Sequence, residues 1–258
     1  LIKKALIIGD PHSDPKRDNR RFDWLGNLIL EEGPDLVLCT GDFAELHSLS
    51  SYDKGKKSGE GSLYKDDVDA CLDALYRISK PLGDYNIKRR LNKKSSRPKV
   101  PWYMLGGNHE DRIRRAVNDA PNLHGTVSLT DLCYAGYGWN YIPFLEEIVI
   151  EQTVCCHYFP TGVSGAPISG FSIASNAVLK NLASSICGHS HLLDFSVSHS
   201  SVHGRINGLC AGCYVEEKTF DFATYKYWWS GVCILHDWTE GRFDLETIEI
   251  SRVRSLYG

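Results

Sequence analysis

The chain has 258 residues, enough for one large domain with a sizeable core or two small ones. Hydrophobic content of 42% and charged content of 24% are ordinary for a globular protein. A net charge of −3 gives no global case for nucleic acid, so any such case rests on a local patch. No run approaches the roughly 18 apolar residues of a membrane helix, and no membrane partner is expected.

The first apolar run, ending at Ile7-Ile8, meets Gly9-Asp10 at once. It lacks the longer core and small-residue cleavage site of a signal peptide and predicts a buried strand over residues 4–9, ending at Gly9-Asp10-Pro11-His12. A polar loop from Ser13 to Asn19 leads to a helix in which Phe22, Leu25, Leu28 and Ile29 share a face. Gly33-Pro34 stops it. Leu36 to Cys39 predicts a second strand, ending at Gly41-Asp42. This β-α-β order argues a parallel sheet with active residues at the carboxyl ends of its strands.

Residues 46–100 break that rhythm and are read as an insertion in a single domain spanning 1–258. Ser48 to Ser62 is a loop rich in Ser, Gly and Lys. Asp66 to Ser79 predicts a helix with Val68, Cys71, Leu72, Leu75 and Ile78 on one side. Asn86 to Lys99 carries Lys88, Arg89, Arg90, Lys93, Lys94, Arg97 and Lys99 and no acid. The run Trp102-Tyr103-Met104-Leu105 predicts a third strand, Gly106 to Glu110 a sharp turn, and Asp111 onward a helix.

Beyond about residue 125 the pattern changes. Glu147 to Cys156 is a β-type run ending at His157, Pro160 to Gly170 a loop, and Ala174 to Leu182 a short helix. Ser184 to Cys187 predicts a strand ending at Gly188-His189-Ser190-His191. Antiparallel strands are predicted at about 192–198, 204–210, 230–236 and 243–250.

The nine cysteines are an odd number, and Cys39, Cys155, Cys156, Cys187 and Cys233 lie inside apolar runs. That is the placement of reduced, buried cysteine and predicts a reducing, cytoplasmic setting. Cys210 and Cys213 form one C-x-x-C with no second pair nearby to complete a zinc site, so their reading is structural.

Five loci recur at predicted strand ends: Asp10 with His12, Asp42, Asn108 with His109, His157, and His189 with His191. Carboxylate and imidazole together suit Mn, Fe and Zn, whereas Mg and Ca prefer oxygen shells. In an extended segment residues i and i+2 point the same way, so Asp10/His12 and His189/His191 are each expected to converge on one site. A lone Asp or His after a strand is usually a cap or a loop residue; five such loci together argue a metal site. His47, His124, His199, His203 and His236 read as loop or surface residues.

In order the chain carries Asp10-Pro11-His12, Gly41-Asp42-Phe43-Ala44-Glu45, Gly107-Asn108-His109-Glu110, His157 and Gly188-His189-Ser190-His191. This resembles the calcineurin-like metallophosphoesterases over about residues 4–191. The resemblance implies a four-layer α/β-β/α sandwich of two mixed sheets, with two divalent metals in the loops at one edge. Manganese is the first expectation, with iron, zinc or a mixed pair as alternatives. It implies that Asp10, His12 and His191 hold one metal, that Asn108, His157 and His189 hold the other, and that Asp42 bridges them. His109 would be a non-ligand near the scissile phosphate, acting as general acid or phosphate contact. Glu45 would orient a histidine or water by hydrogen bonding. Pro11 stiffens the first turn without removing a ligand, and Tyr158-Phe159 after His157 makes a more aromatic wall than the pattern usually has.

Two metals about 3.5–4 Å apart can clamp a phosphoryl group and acidify water for in-line attack. His109, if protonated, would donate to the leaving oxygen. Residues 86–115 hold ten Lys or Arg against Glu110 and Asp111, and this patch abuts the third motif in sequence. On that adjacency Lys88, Arg89, Arg90, Lys93 and Lys94 are candidate nucleic-acid contacts, although charge runs are usually solvated surface. Phe220, Phe222, Tyr225, Tyr227, Trp228 and Trp229 could stack bases, but packing the second sheet or a subunit contact is the readier explanation. The expected function is metal-dependent phosphodiester hydrolysis by a nuclease of the SbcD-like kind, acting on DNA or RNA alone or as a small oligomer. The alternatives are a phosphomonoesterase, on protein or a small metabolite, and a non-catalytic scaffold. A scaffold expects eroded ligands, and none is missing.

Overall fold

The structure is a computed structural model describing residues 1–52, 54–216 and 227–258. In chain order it comprises β1 (Ile2–Ile8), α1 (Arg20–Glu32), β2 (Leu36–Cys39), α2 (Tyr64–Leu91), β3 (Trp102–Leu105), α3 (Asp111–Asp119), β4 (Trp139–Ile142), β5 (Ile148–Ile150) and β6 (Thr153–Cys155). There follow β7 (Pro160–Thr161), β8 (Ala166–Pro167), α4 (Ile173–Asn181), β9 (Ser184–Cys187), β10 (Leu193–Ser200), β11 (Gly204–Ala211), β12 (Gly231–Thr239), β13 (Arg242–Glu249) and α5 (Ile250–Tyr257).

One sheet has the order β13-β12-β1-β2-β3-β4 and a second the order β10-β11-β9-β6-β5. In the first, β1 to β4 run parallel and β12 pairs antiparallel with β1. In the second, β6, β9 and β11 are parallel, with β5 and β10 antiparallel at the edges. Both sheets are mixed.

Alternation along β1 and β2 builds the layers. Leu6, Ile8, Val37 and Cys39 meet Phe22, Leu25 and Leu28 of α1 and Cys71, Ala74 and Ile78 of α2. Ala5, Ile7, Leu36 and Leu38 face the other way and pack on Ile186, Leu209 and Ala211 of the second sheet. Strands buried on both faces explain why these runs are continuously apolar in sequence. Ile173 and Ala177 of α4 cover Cys156, Cys187 and Cys210 on the far side of the second sheet. The result is helix, sheet, sheet, helix, the expected four-layer sandwich. The carboxyl ends of β1, β2, β3, β6 and β9 open on one edge.

Several boundaries differ from expectation. The helix predicted to Ser79 continues through Pro81 to Leu91, with Leu82 packed beneath it. β4 was not legible, since Trp139 to Ile142 has no clear alternation. The apolar run at 147–156 is a hairpin: Glu151 and Gln152, at φ 45° and 58°, turn β5 into β6. The strands at 204–210 and 230–236 are not purely antiparallel neighbours. β11 pairs parallel with β9, while β12 crosses to the first sheet. The chain from Ile250 is helical, with Ile250 and Val253 buried. All nine cysteines are free, Cys133 alone being exposed. Among the described residues no helix is long and apolar enough to cross a membrane.

Candidate metal centre

The loops after the parallel strands are tied together by a few buried polar groups. Arg21 of α1 donates to the carbonyls of Pro11 and His12, each at 2.9 Å, and to that of Tyr214 at 3.2 Å. Thr40, at the end of β2, donates its hydroxyl to Asp10 Oδ1 at 2.9 Å and accepts at its carbonyl from His157 Nδ1 at 2.8 Å. Glu110 accepts from the backbone amides of Asp42 (3.1 Å), Ala44 (3.0 Å) and Gly107 (2.8 Å), and from the Tyr134 hydroxyl (2.9 Å). The backbone approach is so close that a Cβ on Gly107 would strike the Asp42 carboxylate, and one on Gly188 would strike Asp10 and Thr40.

Three sets of donor atoms result, each set lying within 4.8 Å: Asp10, His12 and His191; His12, Asp42 and His109; and Asp42, His157 and His189. His12 Nε2 and His191 Nε2 are 2.9 Å apart, with Asp10 Oδ2 3.4 Å from the latter. Asn108 Oδ1 stands 3.1 Å from His157 Nε2, and Asp42 Oδ2 is 3.4 Å from the same nitrogen. Asp42 is therefore shared by the set with His12 and His109 and the set with His157 and His189. The backbone amide of His189 donates to Asp10 Oδ2 at 2.6 Å.

The pairs converge for a different reason from the one expected. His12, Asp42, His189 and His191 have φ of 46°, 47°, 68° and 59°. These are left-handed turn conformations, costly for residues with a Cβ, and they replace the extended alternation read from the i, i+2 spacing. The surrounding hydrogen bonds over-determine them.

The residues fit a divalent metal. Two ring nitrogens 2.9 Å apart cannot both carry a proton. Glu45 Oε2 lies 2.8 Å from His12 Nδ1, off the hydrogen-bonding direction, and favours the proton there. That leaves the His12 Nε2 lone pair facing the shared space. His157 is oriented in the same way by Thr40. His189 Nδ1 is buried and has no hydrogen-bond partner among the described residues, a costly arrangement that a cation would relieve.

The electrostatics agree. Burial drives the His12 ring down to about 3 and His189 to about 4, and holds His191 well below the usual range. All three are neutral donors at pH 7. Burial works against charge on Asp42, but the His109 and His157 rings hold its carboxyl well below the usual carboxylate range. Burial likewise opposes charge on His157, but the Asp42 carboxylate lifts the ring to about 10. Burial raises Asp10 to about 7.

His109 sits at the rim. Its amide donates to Asp42 Oδ1 at 2.9 Å and its Nδ1 to the Glu45 carbonyl at 2.8 Å. Its Nε2 accepts from Arg112 Nη2 at 3.1 Å, while Arg112 Nη1 donates to the Glu45 carbonyl at 2.8 Å. Burial lowers the His109 ring to about 4. The Glu45 carboxylate touches His12 and lies 3.4 Å from His109 Nδ1, consistent with an orienting group.

Glu110, Arg21, Thr40 and Arg112 were not assigned roles from the sequence. Glu110 stood within the third motif, and its signal was an acid directly after Asn-His. Arg21, a cation on a face otherwise apolar, was the other available sign. The basic run lies elsewhere in space. α2 runs beside α1, with Asn19 at Ala70, Arg77 at Asp23 and Arg97 at the Leu30 carbonyl. Lys88 is thus roughly 36 Å of helix beyond Tyr64, the end nearest the site, and Lys88, Arg89, Arg90, Lys93 and Lys94 adjoin the third motif along the chain only. Arg112 and Arg115 do reach the site, the latter donating to the Asn108 carbonyl at 2.8 Å. Of the aromatic run, Trp229 packs between the sheets, Trp228 lies against His191 with ring centroids 4.2 Å apart, and Tyr227 lies against Phe171. Phe220, Phe222 and Tyr225 lie outside the described residues. Cys210 and Cys213 are buried against backbone carbonyls of Gly188 and Trp229.

Among solved structures the chain resembles a Pseudomonas putida nuclease MPE at 15% identity, covering 94% of this chain and 87% of that one with a TM-score of 0.37. It resembles the E. coli phosphoesterase YfcE at 10% identity, 96% and 99% coverage and a TM-score of 0.39. For TT1561 of Thermus thermophilus the figures are 8%, 97%, 100% and 0.38. Comparison with curated proteins finds no match. The sequence profile described as calcineurin-like phosphoesterase matches residues 3–193, which takes in all five loci of the site. The chain belongs to the calcineurin-like phosphoesterase family, whose members are metal-dependent hydrolases of phosphoesters.

Proposed function

We propose that the chain is a dinuclear phosphodiesterase acting on nucleic acid. Asp10, His12 and His191 would hold one metal, Asn108, His157 and His189 the other, and Asp42 would be shared between them. The supporting observation is the position of Asp42 between two sets of converging imidazole nitrogens. Carboxylate with imidazole favours manganese, with iron and zinc as alternatives. Divalent metals there supply the Lewis acidity that polarises a phosphoryl oxygen and acidifies water.

The protein's own groups do the rest. Thr40 and Glu45 fix the tautomers of His157 and His12, and Glu110 holds the Asp42 loop against the Asn108 loop. A diester has two substituents to place. Cationic groups reach the site from α3 through Asn108 and His109, and aromatic groups reach it through His189 and His191. We read residues 1–258 as one unit in which the elaboration at 46–100 is anchored by α2, and the buried cysteines fit a cytoplasmic setting.

A panel with manganese-loaded protein tests the reading. Bis-nitrophenyl phosphate and short DNA or RNA are expected to be hydrolysed faster than nitrophenyl phosphate. Preference for the monoester would favour a phosphomonoesterase instead.

A further inference from the structure

Beside His189 lies a cavity of about 340 Å³, walled by Ile168, Phe171, Ile173, Leu192, Tyr227 and Trp228. His189 is at once part of this wall and of the set with Asp42 and His157. A phosphate at the candidate metal centre would therefore lie beside the cavity. Its described lining is mainly apolar and aromatic, which suits a planar organic group.

The aromatic walls are placed as contact surfaces. Phe171 is 69% exposed and Tyr227 50% exposed. Their rings meet at 5.3 Å and 78° at the cavity. Phe171 lies outside the described hydrophobic core clusters, unlike Trp229. Tyr158 lies 4.7 Å from the His189 ring and continues the aromatic surface toward the centre. Exposed aromatic faces beside a phosphate site can stack a base whatever its identity, and a concave, mainly apolar pocket with a few polar groups is the usual form of a small-ligand site. Ser169 and Ser190 supply hydroxyl oxygens at the wall.

From this continuity we infer that the cavity receives the base of a nucleoside carried by the phosphoester, making Phe171, Tyr227 and Trp228 specificity determinants. The inference rests on the nucleic-acid phosphodiesterase reading and narrows it to substrates with an unpaired base next to the scissile phosphate.

The test compares ligands with and without a base. Dissociation constants of adenosine 5′-monophosphate, ribose 5-phosphate and inorganic phosphate are measured by calorimetry on the manganese-loaded protein. Adenosine monophosphate is expected to bind about tenfold or more tighter than ribose 5-phosphate, the scale of one stacked base. The double substitution Phe171→Ala and Tyr227→Ala is expected to bring that ratio near one. Equal affinity of the two ligands in the unsubstituted protein overturns the inference, and so does a ratio that the double substitution leaves unchanged. Hydrolysis of bis-nitrophenyl phosphate is followed in parallel. Its absence alongside an intact affinity ratio would strike the phosphodiesterase reading and leave the base pocket standing.

Discussion

Arg112 Nη2 lies 3.1 Å from His109 Nε2, so this ring nitrogen already accepts a bond from a cation. With its Nδ1 committed to the Glu45 carbonyl, His109 is neutral at pH 7 and its proton faces away from the ester. These contacts predict that the ring acts by holding Arg112 and the Asp42 loop in place. His109→Ala is expected to lower turnover about tenfold to a hundredfold, equally for nitrophenolate and alkoxide leaving groups. A larger loss on the poor leaving group would show that His109 donates a proton during turnover.

Glu110 gives a prediction about stability. Its buried carboxylate serves three backbone amides and the Tyr134 hydroxyl. Glu110→Ala leaves those donors without their partner, at about 1–3 kcal/mol each before relaxation. A drop in thermal midpoint of at least several degrees is expected, together with loss of metal retention. Glu110→Gln keeps an acceptor oxygen and is expected to lose less of both. An unchanged midpoint in Glu110→Ala would show that water replaces the carboxylate without cost.

Metal loading should release protons. In the metal-free protein His157 titrates at about 10 and Asp10 at about 7. At pH 7 His157 holds a proton, and burial keeps Asp10 protonated in part of the molecules. Both must lose it to act as ligands, so affinity for metal is expected to rise as pH rises from 6 to 8. The sign for folding stability is the opposite. Both values are raised above the unfolded ones, so both groups stabilise the metal-free fold below the unfolded values, and the contribution fades as pH rises through about 7 for Asp10 and about 10 for His157. Calorimetry of metal binding in buffers of different ionisation heat should report between one and two protons released at pH 7. No release would mean that His157 is neutral before loading.

The basic run at the end of α2 is too far away to touch a short substrate. Roughly 36 Å of helix separates Lys88 from Tyr64, the end of α2 nearest the site, about ten nucleotides at 3.4 Å each. Neutralising Lys88, Arg89, Arg90, Lys93 and Lys94 is expected to leave cleavage of a tetranucleotide within twofold. Any loss should appear only with long substrates and shrink as salt rises. A large loss on the tetranucleotide would place the run at the site.

Much of the fold and of the candidate site was legible because both are written in local signals. Apolar runs ending in glycine and an acid or imidazole marked β1, β2, β3 and β9. Their order placed Asp10, Asp42, Asn108, His157 and His189 together before any coordinates. What failed was long-range. Pro81 signals the end of a helix, but packing of Leu82 and the turns beyond carries α2 past it. Placing β12 beside β1 depends on pairing across more than two hundred residues, which periodicity does not encode. The basic run adjoins the third motif along the chain, but the helix carries it to the far end of α2, and chain adjacency does not encode that distance.

The positive φ of His12, Asp42, His189 and His191 was equally hidden, since no glycine marks those positions. Arg21 and Glu110 act on backbone groups of other loops, and no sequence spacing announces that.

The central claim is that one carboxylate, Asp42, joins two metal positions. Elemental analysis of manganese-loaded protein after exhaustive dialysis, with and without Asp42→Ala, tests it most directly. Two ions per chain are expected in the unsubstituted protein and fewer than one in the variant, with loss of diester hydrolysis. Two ions retained in Asp42→Ala, or no metal bound to the unsubstituted protein, would contradict it.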